Sequence, residues 1–310
     1  MAEVPRALKY LLRYAAVAVL LALVLWLTRG QWQEFRNVEN VRVSSLVWFS
    51  VCFVTSQFLA GVMLKVFTAT FDVHLTFKEW FGLVCMRSLG NYLPLSAGLT
   101  ANAAYLKMRK DLPISKFASL TAANLVITTL TGALLGVVLL LGRYFIVGSV
   151  HLGLLGIFSA ITLCGLGAIF VPMRAIKGEN RVFSLLRSAH EGWLLIRSRR
   201  GLVAIVVGLH LANLVLMALE YDFVLRDLGH TLDWPALMVL TVSTSIFRFA
   251  SIFPGNLGLR EAVAGGVVTI LGFPFSIGLL ASGVGRMVSM AWIFLLGTIF
   301  SFVLVHDSSS

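Results

Sequence analysis

The sequence predicts an all-α, polytopic membrane protein of about seven to eight transmembrane helices plus two broken helical hairpins. Three observations support this prediction. Of the 310 residues, 58% are hydrophobic and only 13% are charged, which is far from the composition of a soluble globular domain. Apolar runs of the ~20 residues that a membrane-crossing helix needs recur along the chain. Two further apolar stretches are interrupted by Pro and Gly.

Several runs have the length and composition of a membrane-crossing helix. The first follows Arg6, Lys9 and Arg13, but it is longer than a signal-peptide core and no small-residue cleavage site follows it, so we expect a retained helix. Glu220 and Asp222 are interpreted as marking the outer end of a later run. The predicted runs are 10–28, 45–69, 115–141, 149–172, 201–222, 234–253 and 276–304.

The two interrupted stretches are 79–105 and 254–273. Sliding the chain against itself by 160 residues aligns PLSAGLTANAA in the first with PGNLGLREAVA in the second. Pro removes a helix hydrogen bond and Gly permits irregular backbone, which must face protein or a wet cavity at membrane depth. The pattern predicts an internal repeat, inverted or parallel, with halves at 45–141 and 201–304. Each hairpin is re-entrant or includes a full crossing.

Basic residues are concentrated beside the apolar runs. With a net charge of +11, they attract anionic lipid headgroups and set orientation, so nucleic-acid binding is not expected. Their excess in 1–13, 106–116 and 174–200 predicts a cytoplasmic N-terminus in the cell (cytoplasmic) membrane. Helical spacing predicts a basic amphipathic helix over 178–200 on the inner surface, either a docking element or a plain orientation-setting loop.

Residues 1–305 form one predicted transmembrane domain because no linker-like segment divides them, and 306–310 are predicted to be a disordered tail. The 3 cysteines are odd in number and singly placed, which excludes a disulfide framework and a C-x-x-C metal site. The chain lacks the GK pair of a phosphate-binding loop and a G-x-S-x-G elbow. We therefore expect no cofactor, no metal and no enzymatic activity; transport would be passive, ion-coupled or driven by a partner.

Charges inside the apolar stretches are the strongest functional candidates, since each arginine costs about 2.5–3.5 kcal/mol at a helix centre. One carboxylate, Glu261, cannot neutralise four guanidinium groups; in the alternative interpretation it pairs with one while the rest snorkel to an interface. A helix that restarts near Asn256 as N-cap adds partial positive charge, which favours a phosphate ligand. The four arginines are Arg87, Arg248, Arg260 and Arg286.

The predicted substrate-binding set combines these charges with the residues at the two breaks. Glu261 would hold Arg248 or Arg286 in position, or take up a proton or cation. The predicted ligand is an anionic or glycosylated membrane lipid, and no residue is assigned a catalytic role. The set is Arg87, Asn91, Pro94, Gly98, Arg248, Pro254, Gly255, Asn256, Gly258, Arg260, Glu261 and Arg286.

The segments SIFPGNLGLREAVAGGVVTILGFPFSIGLLASGVGRMV and MRSLGNYLPLSAGLTANAAYLKMRKDLPISKFAS resemble motifs of the lysylphosphatidylglycerol synthase transmembrane-region (flippase-like domain) family. The resemblance covers most of the chain and implies a stand-alone membrane domain without the soluble transferase. In the motif that corresponds to the segment beginning MRSLG, family members usually carry a Gly-Gly-Asp-like element and a following Arg. Here residues 97–101 of that segment read AGLTA. The resemblance implies movement of lipids with charged or glycosylated headgroups across the cytoplasmic membrane.

The leading hypothesis is a lipid translocase for a phospholipid or a polyprenyl-phosphate-linked lipid, with the headgroup in a cavity between the broken helices. The alternative is a non-transporting adaptor that presents lipid to a membrane-bound synthase or glycosyltransferase through the 178–200 helix. An intramembrane enzyme is disfavoured, because one carboxylate without a nearby His, Ser or second acid makes acid–base chemistry hard to assemble. The lipid, the direction, the energy source and assembly into a homo-oligomer stay open.

Overall fold

The computed structural model of the chain describes residues 36–92, 97–148, 151–170, 194, 199–247 and 258–306. Within these ranges the chain is helical and contains no strand. A short 3₁₀ turn at Asn37–Asn40 precedes the α-helices. These are α1 (Val43–Ala69), α2 (Phe77–Gly90), α3 (Ala97–Lys110), α4 (Ile114–Val147), α5 (Leu152–Phe170), α6 (Arg200–Asp227), α7 (Trp234–Phe247), α8 (Leu259–Ile270) and α9 (Phe275–His306).

Four helices, α1, α4, α6 and α9, are long and apolar enough to cross a membrane. At 1.5 Å per residue they are ~40–50 Å long, which exceeds the ~30 Å hydrocarbon core of a bilayer. Large apolar side chains point outward from them, including Phe145 and Phe302 with 85% and 74% exposure. A multi-pass membrane protein is therefore confirmed, and these helices confirm the predicted runs 45–69, 115–141, 201–222 and 276–304.

The remaining helices are shorter. Helices α2 and α8, whose two ends are both described, have 14 and 12 residues, which corresponds to ~18–21 Å, less than a bilayer core. The described parts of α3 and α7 have 14 residues each and border residues outside the described ranges. Helix α5 packs on α4. The run 234–253, predicted as a full crossing, contains a helix described only to Phe247, and this helix packs with α8 as one hairpin. The predicted span 10–28 and nearly all of the predicted 178–200 helix lie outside the described residues.

Helices α1 and α6 pack against each other in antiparallel directions. Arg42 is the N-cap of α1, and Asp227 is the last residue of α6. The backbone N–H of Arg42 donates to Asp227 Oδ2 at 2.9 Å, and its guanidinium Nε donates to Oδ1 at 2.8 Å. Because the start of one helix is bonded to the end of the other, the two helices run in opposite directions.

Helices α2 and α3 form the first hairpin, and their outer ends are joined. Lys110 Nζ, at the end of α3, lies 2.7 Å from Glu79 Oε1, in the first turn of α2. Glu79 Oε2 also accepts the backbone N–H of Thr76 at 2.8 Å, which caps α2. Burial raises the pKa of the Glu79 carboxyl, but the hydrogen bonds from Lys110 and Thr76 and the Lys110 charge outweigh it, so this pKa lies below its ordinary value.

Helices α7 and α8 form the second hairpin, at the other end of α4. Asp233 caps α7 by accepting the N–H of Ala236 at 2.8 Å, and it lies 3.4 Å from Arg143, near the end of α4. The rings of His230, before α7, and Phe273, after α8, meet edge to face with centroids 5.7 Å apart. Since α4 begins beside the first hairpin's outer end, the outer ends of the two hairpins lie at opposite ends of the bundle.

Each hairpin packs on a long helix from the other half of the chain: α2 on α9, and α7 on α4. A glycine allows the first of these close contacts, since a Cβ on Gly297 of α9 would lie 2.7 Å from Leu89 of α2. At the second contact, a Cβ on Gly132 of α4 would fit, because it would lie 3.8 Å from Val242 of α7. The hairpins are thereby exchanged between the halves, and each half depends on the other for packing.

The turns that flank the hairpins share unusual backbone angles. Asp72 (φ 58°) precedes the first hairpin and Gly229 (φ 83°) precedes the second, 157 positions later (229 minus 72). Asp111 (φ 52°) and Gly272 (φ 96°) follow the hairpins, 161 positions apart (272 minus 111). Left-handed backbone is rare outside glycine. Both halves of the chain thus share the helix order long, short, short, long and the same turn geometry.

Candidate functional site

The second hairpin begins its return helix at a glycine. Gly258 has φ 82° and is the N-cap of α8, which starts at Leu259. Its backbone N–H donates to Glu261 Oε2 at 2.9 Å, so a carboxylate three residues on satisfies one of the free N–H groups at the helix start. The predicted N-cap, Asn256, was wrong by two positions. Gly258 thus has a positive φ immediately before α8 begins.

Glu261 also joins α8 to α9. Arg286 Nε donates a hydrogen bond to Glu261 Oε1, and the two side chains are only 12% and 13% exposed. Both carboxylate oxygens of Glu261 therefore have donors, one from the backbone and one from a guanidinium group. Of the roles that the sequence left open for Glu261, the geometry matches holding Arg286.

Arg260 lies beside Tyr221 of α6. Its Nε donates to the Tyr221 hydroxyl at 3.4 Å, a long contact, and its guanidinium carbon lies 5.7 Å from the centroid of the Tyr221 ring. This distance is within the range of a cation–π contact. Glu220 and Glu261 both interact electrostatically with Arg260. Arg260 thus connects the start of α8 to the buried face of α6.

Glu220 is a site residue that was not among the predicted ones. It was interpreted as marking the end of a membrane run, but α6 continues to Asp227 and Glu220 is only 4% exposed. A signal was available: Met217, Tyr221 and Val224 are buried at helical spacing, and Glu220 lies on the same face. The anion prediction set one carboxylate, Glu261, against four arginines, and Glu220 adds a second carboxylate to that count.

Four charged side chains therefore lie together between α6, α8 and α9: Glu220, Arg260, Glu261 and Arg286. We call these four residues the charged layer. Within the described part of the chain, the charged layer contains two carboxylates and two guanidinium groups, and Glu220 and Arg286 have further interactions. The surroundings are apolar, since Phe49 of α1 is 2% exposed and its ring lies close to Gly285. Charges in such surroundings interact more strongly than in water.

The first hairpin contributes Arg87, in the last turn of α2. Its carbonyl oxygen accepts the N–H of Asn91 at 3.0 Å, and a Cβ on Gly98 of α3 would lie 2.2 Å from that oxygen. Gly98 is therefore needed for the close approach of the two helices. Asn91 is exposed. The Arg87 side chain is half-buried and has no ion pair or hydrogen bond to any residue in the described part of the chain.

Helix α9 shows how far apart the inner ends of the two hairpins lie. Arg286 of α9 contacts the start of α8, whereas Phe294 packs on Tyr92 just after α2, with ring centroids 5.9 Å apart. Trp292 lines a crevice with Ser88 of α2. Six to eight residues of α9 separate these contacts, which is ~9–12 Å along the axis. Both inner ends thus reach the middle part of one helix.

Two small apolar crevices lie within the described ranges, and neither is lined by a residue of the charged layer. No group of three His, Cys, Asp or Glu side chains suited to a metal occurs in the same ranges. Five residues of the predicted set lie outside the described residues: Pro94, Arg248, Pro254, Gly255 and Asn256.

Four long apolar helices, with short helices paired into hairpins and charges at their inner ends, define a polytopic helical membrane protein. The sequence profile of the lysylphosphatidylglycerol synthase TM region family matches residues 13–297. The chain belongs to this family, which confirms the resemblance noted in the sequence and indicates a lipid-related membrane function. Searches of curated proteins and of solved structures found no match.

Proposed function

We propose that this protein moves lipids with a negatively charged headgroup across the cytoplasmic membrane. The observation on which the proposal chiefly depends is that each hairpin has an arginine at its inner end, Arg87 in α2 and Arg260 in α8. Guanidinium groups bind phosphate oxygens in a forked geometry, and a helix start adds partial positive charge. Membership in a lipid-related family supports a lipid phosphate as the ligand.

The two hairpins are proposed to be re-entrant, each entering from one face of the membrane and returning to it. Helix α2 of the first hairpin and α8 of the second, at ~18–21 Å, are too short to cross a ~30 Å core. Their outer ends lie at opposite ends of α4, marked by Lys110 bonded to Glu79 and by Asp233 beside Arg143. A lipid headgroup could then reach the inner ends from either face while its tail stays in the bilayer.

An inverted internal repeat is the architecture that we propose for this arrangement. The corresponding helices α1 and α6 are antiparallel, as the contact between Arg42 and Asp227 requires. The exchanged packing of α2 on α9 and α7 on α4, and the paired turn residues, support the same relation. Alternating access would follow if one half rocks against the other, which would open the compact arrangement described above.

Within this site the arginines have different proposed roles. Arg87 and Arg260 are proposed to bind the phosphate, since Arg87 has no counter-charge among the described residues and Arg260 donates to a hydroxyl, while Glu220 and Glu261 act on it electrostatically. Arg286 is engaged by Glu261 and is proposed to hold α8 in place. Arg248 belongs to the predicted set but lies outside the described residues.

The first hairpin's outer end is proposed to face the cytoplasm. Lys107, Arg109 and Lys110 lie in the last turns of α3 and Lys116 in the first turn of α4, and clustered basic residues favour the inner face. This agrees with the cytoplasmic N-terminus expected from the sequence. No observation on the described residues favours the adaptor alternative, whose 178–200 docking helix lies almost wholly outside them.

Transport assays in liposomes test the proposal. We expect the wild type to speed the exchange of fluorescent phosphatidylglycerol between leaflets, measured by quenching of the outer leaflet with dithionite. Arg260→Gln and Arg87→Gln should each slow this exchange at least tenfold, since a charge-assisted hydrogen bond contributes about 1.5–3 kcal/mol.

The matched control is Arg226→Gln, which removes an arginine that is bonded to Asp222 and is 59% exposed. It should leave the exchange rate unchanged. Equal rates for all three variants and the wild type, in protein that remains folded by its thermal transition, would reject the assignment of Arg87 and Arg260 as phosphate ligands.

A further inference from the structure

The first hairpin contains a buried amide whose hydrogen bonds are unfilled. Asn102, in the second turn of α3, is 0% exposed, and neither its amide nitrogen nor its amide oxygen has a hydrogen-bond partner in the described part of the chain. Buried polar side chains are nearly always hydrogen-bonded, because a buried donor or acceptor has lost its bonds to water. The Asn102 amide therefore destabilises the arrangement described here, and a ligand that fills its hydrogen bonds would remove that cost.

Asn102 lies on the face of α3 that packs on α2. It follows Gly98 by one helical turn, and a Cβ on Gly98 would collide with the carbonyl oxygen of Arg87 in α2. Leu106, one turn further along α3, is 0% exposed and belongs to the same apolar cluster as Leu83 of α2. Asn102 therefore lies one helical turn from the place where Arg87 meets α3.

The side chains of Arg87 and Asn102 lean toward each other along the hairpin. In an α-helix each Cα–Cβ bond tilts toward the N-terminus of its own helix. Helix α2 runs from the outer end of the hairpin to the inner end, so Arg87 leans outward, whereas α3 runs back and Asn102 leans inward, over the bare Cα of Gly98. Arg87 has no ion pair or hydrogen bond within the described ranges. A cation and an amide with unfilled hydrogen bonds are thus directed to one level of the first hairpin.

Helix α4 brings a second amide to the same side of the hairpin. Phe117 of α4 packs in the apolar cluster that contains Leu106. Asn124 follows Phe117 by seven residues, which is two helical turns on the same face. Its Oδ1 is buried and likewise has no hydrogen-bond partner among the described residues. Since α3 ends and α4 begins at the outer end of the hairpin, Asn102 and Asn124 both lie inward of this cluster.

The chemistry of these groups matches a headgroup that has both a phosphate and a hydroxyl. A guanidinium group binds phosphate oxygens. An uncharged carboxamide has two N–H donors and one acceptor oxygen, which match hydroxyl groups, because a hydroxyl both donates and accepts. An ammonium headgroup offers no acceptor to the amide N–H groups and is repelled by the Arg87 charge. Glycerol or sugar hydroxyls attached to a phosphate satisfy both side chains.

We propose that Asn102 binds the hydroxyls of the lipid headgroup whose phosphate binds Arg87, and that it thereby determines which anionic lipid the protein moves. This inference rests on the proposed function. The amide oxygen of Asn102 accepts a hydrogen bond from one hydroxyl, and its N–H donates to the oxygen of a neighbouring hydroxyl. Because Asn102 is fully buried in the arrangement described here, the headgroup reaches it after one half of the protein rocks against the other.

Two lipids that differ only in their hydroxyls test the inference. Exchange between leaflets is measured in liposomes for phosphatidylglycerol and for phosphatidylpropanol, each labelled on an acyl chain. Phosphatidylpropanol has the same phosphodiester, charge and three-carbon headgroup but no hydroxyl. We expect the wild type to exchange phosphatidylglycerol about five- to tenfold faster, the effect of one or two neutral hydrogen bonds.

Asn102→Leu should exchange both lipids at the rate that the wild type shows for phosphatidylpropanol. Its thermal transition should be at or above that of the wild type, because the change removes a buried amide with unfilled hydrogen bonds. An asparagine with a purely structural role would give the opposite result, a lower thermal transition and an unchanged lipid preference. If Asn102→Leu does not fold, Asn102→Ala makes the same comparison of the two lipids.

Asn213→Leu is the matched control, since it makes the same change at a half-buried asparagine of α6, whose amide nitrogen lies 3.6 Å from the Met217 sulfur. It should keep the preference for phosphatidylglycerol. Equal exchange of the two lipids by the wild type, or a preference that persists in the Asn102 variants, would overturn the inference and leave the proposed function standing. Exchange of neither lipid by the wild type would reject the proposed function, and the inference with it.

Discussion

The two hairpins share a backbone plan but are fixed by charges at opposite ends. In the first hairpin the ion pair, Glu79 with Lys110, lies at the outer end, while Arg87 at the inner end has no carboxylate among the described residues. In the second hairpin, Arg260 and Glu261 both lie at the inner end. An ion pair at the outer end joins the two helices of a hairpin to each other at the membrane surface. One at the inner end holds the hairpin to its neighbouring helices at the site itself.

This difference indicates a division of labour within a common frame. The second hairpin is tied to α9 through Glu261 and Arg286 and to α6 through Arg260 and Tyr221. The inner end of the first hairpin contacts α9 through the Tyr92 and Phe294 rings, which are apolar over most of their surface. Disturbing charges in the second hairpin should therefore affect stability most, and disturbing those of the first should have a smaller effect.

The largest expected effect comes from breaking the pair at the inner end of the second hairpin. Glu261→Met or Arg286→Met alone should lower the free energy of unfolding by about 3–5 kcal/mol, because each leaves a buried charge without its partner. The double variant should lose less than either single variant. Scanning fluorimetry of the detergent-solubilised protein measures the thermal transition. Additive losses in the double variant would show that the two side chains do not stabilise each other.

The next effect concerns the glycines that bring hairpin helices together. Gly98→Ala should lower the free energy of unfolding by about 1–3 kcal/mol, since its Cβ would meet the backbone carbonyl of Arg87, which cannot turn away. Gly265→Ala should cost less, because the obstacle is the Phe275 ring, a side chain. Gly266→Ala is the control: its Cβ meets nothing within 4 Å, and alanine favours helix. The same thermal transition should rank them in that order, and an equal loss for Gly98→Ala and Gly266→Ala would contradict the close approach.

Much of the fold could be predicted because apolar length alone determines it. The long helices α1, α4, α6 and α9 follow from apolar runs that contain no Pro and no two adjacent Gly residues. The break in 79–105 was also foreseen from its Pro and Gly, and the chain is indeed divided there between α2 and α3. The run 234–253 stays a prediction beyond Phe247, where the described part of α7 ends.

The site was predicted in part. Its arginines and Glu261 are conspicuous in apolar sequence, and Arg286 was one of two partners expected for Glu261. Glu220 was missed because its position near the end of the predicted run was given more weight than its place on the helix face of Met217, Tyr221 and Val224, which is buried. The cap at Gly258 was placed at Asn256 because side-chain capping preferences rank Asn above Gly, whereas here Glu261 supplies the acceptor.

The smallest effect should come from the outer end of the first hairpin. The pKa of Glu79 lies below its ordinary value, so its interactions stabilise the fold above the unfolded-state pKa of about 4.5 and are lost as pH falls through the folded-state pKa. Glu79→Gln should therefore lower the free energy of unfolding at pH 7 by about 1 kcal/mol or less, the size expected for a partly exposed pair. The thermal transition should be lower accordingly. The difference in thermal transition between wild type and variant should disappear as pH falls below 4.5. The control Glu39→Gln changes an exposed residue before α1 and should not alter the thermal transition at pH 7 or in acid. A difference between wild type and Glu79→Gln that persists in acid would refute the assigned role of the ionised carboxylate.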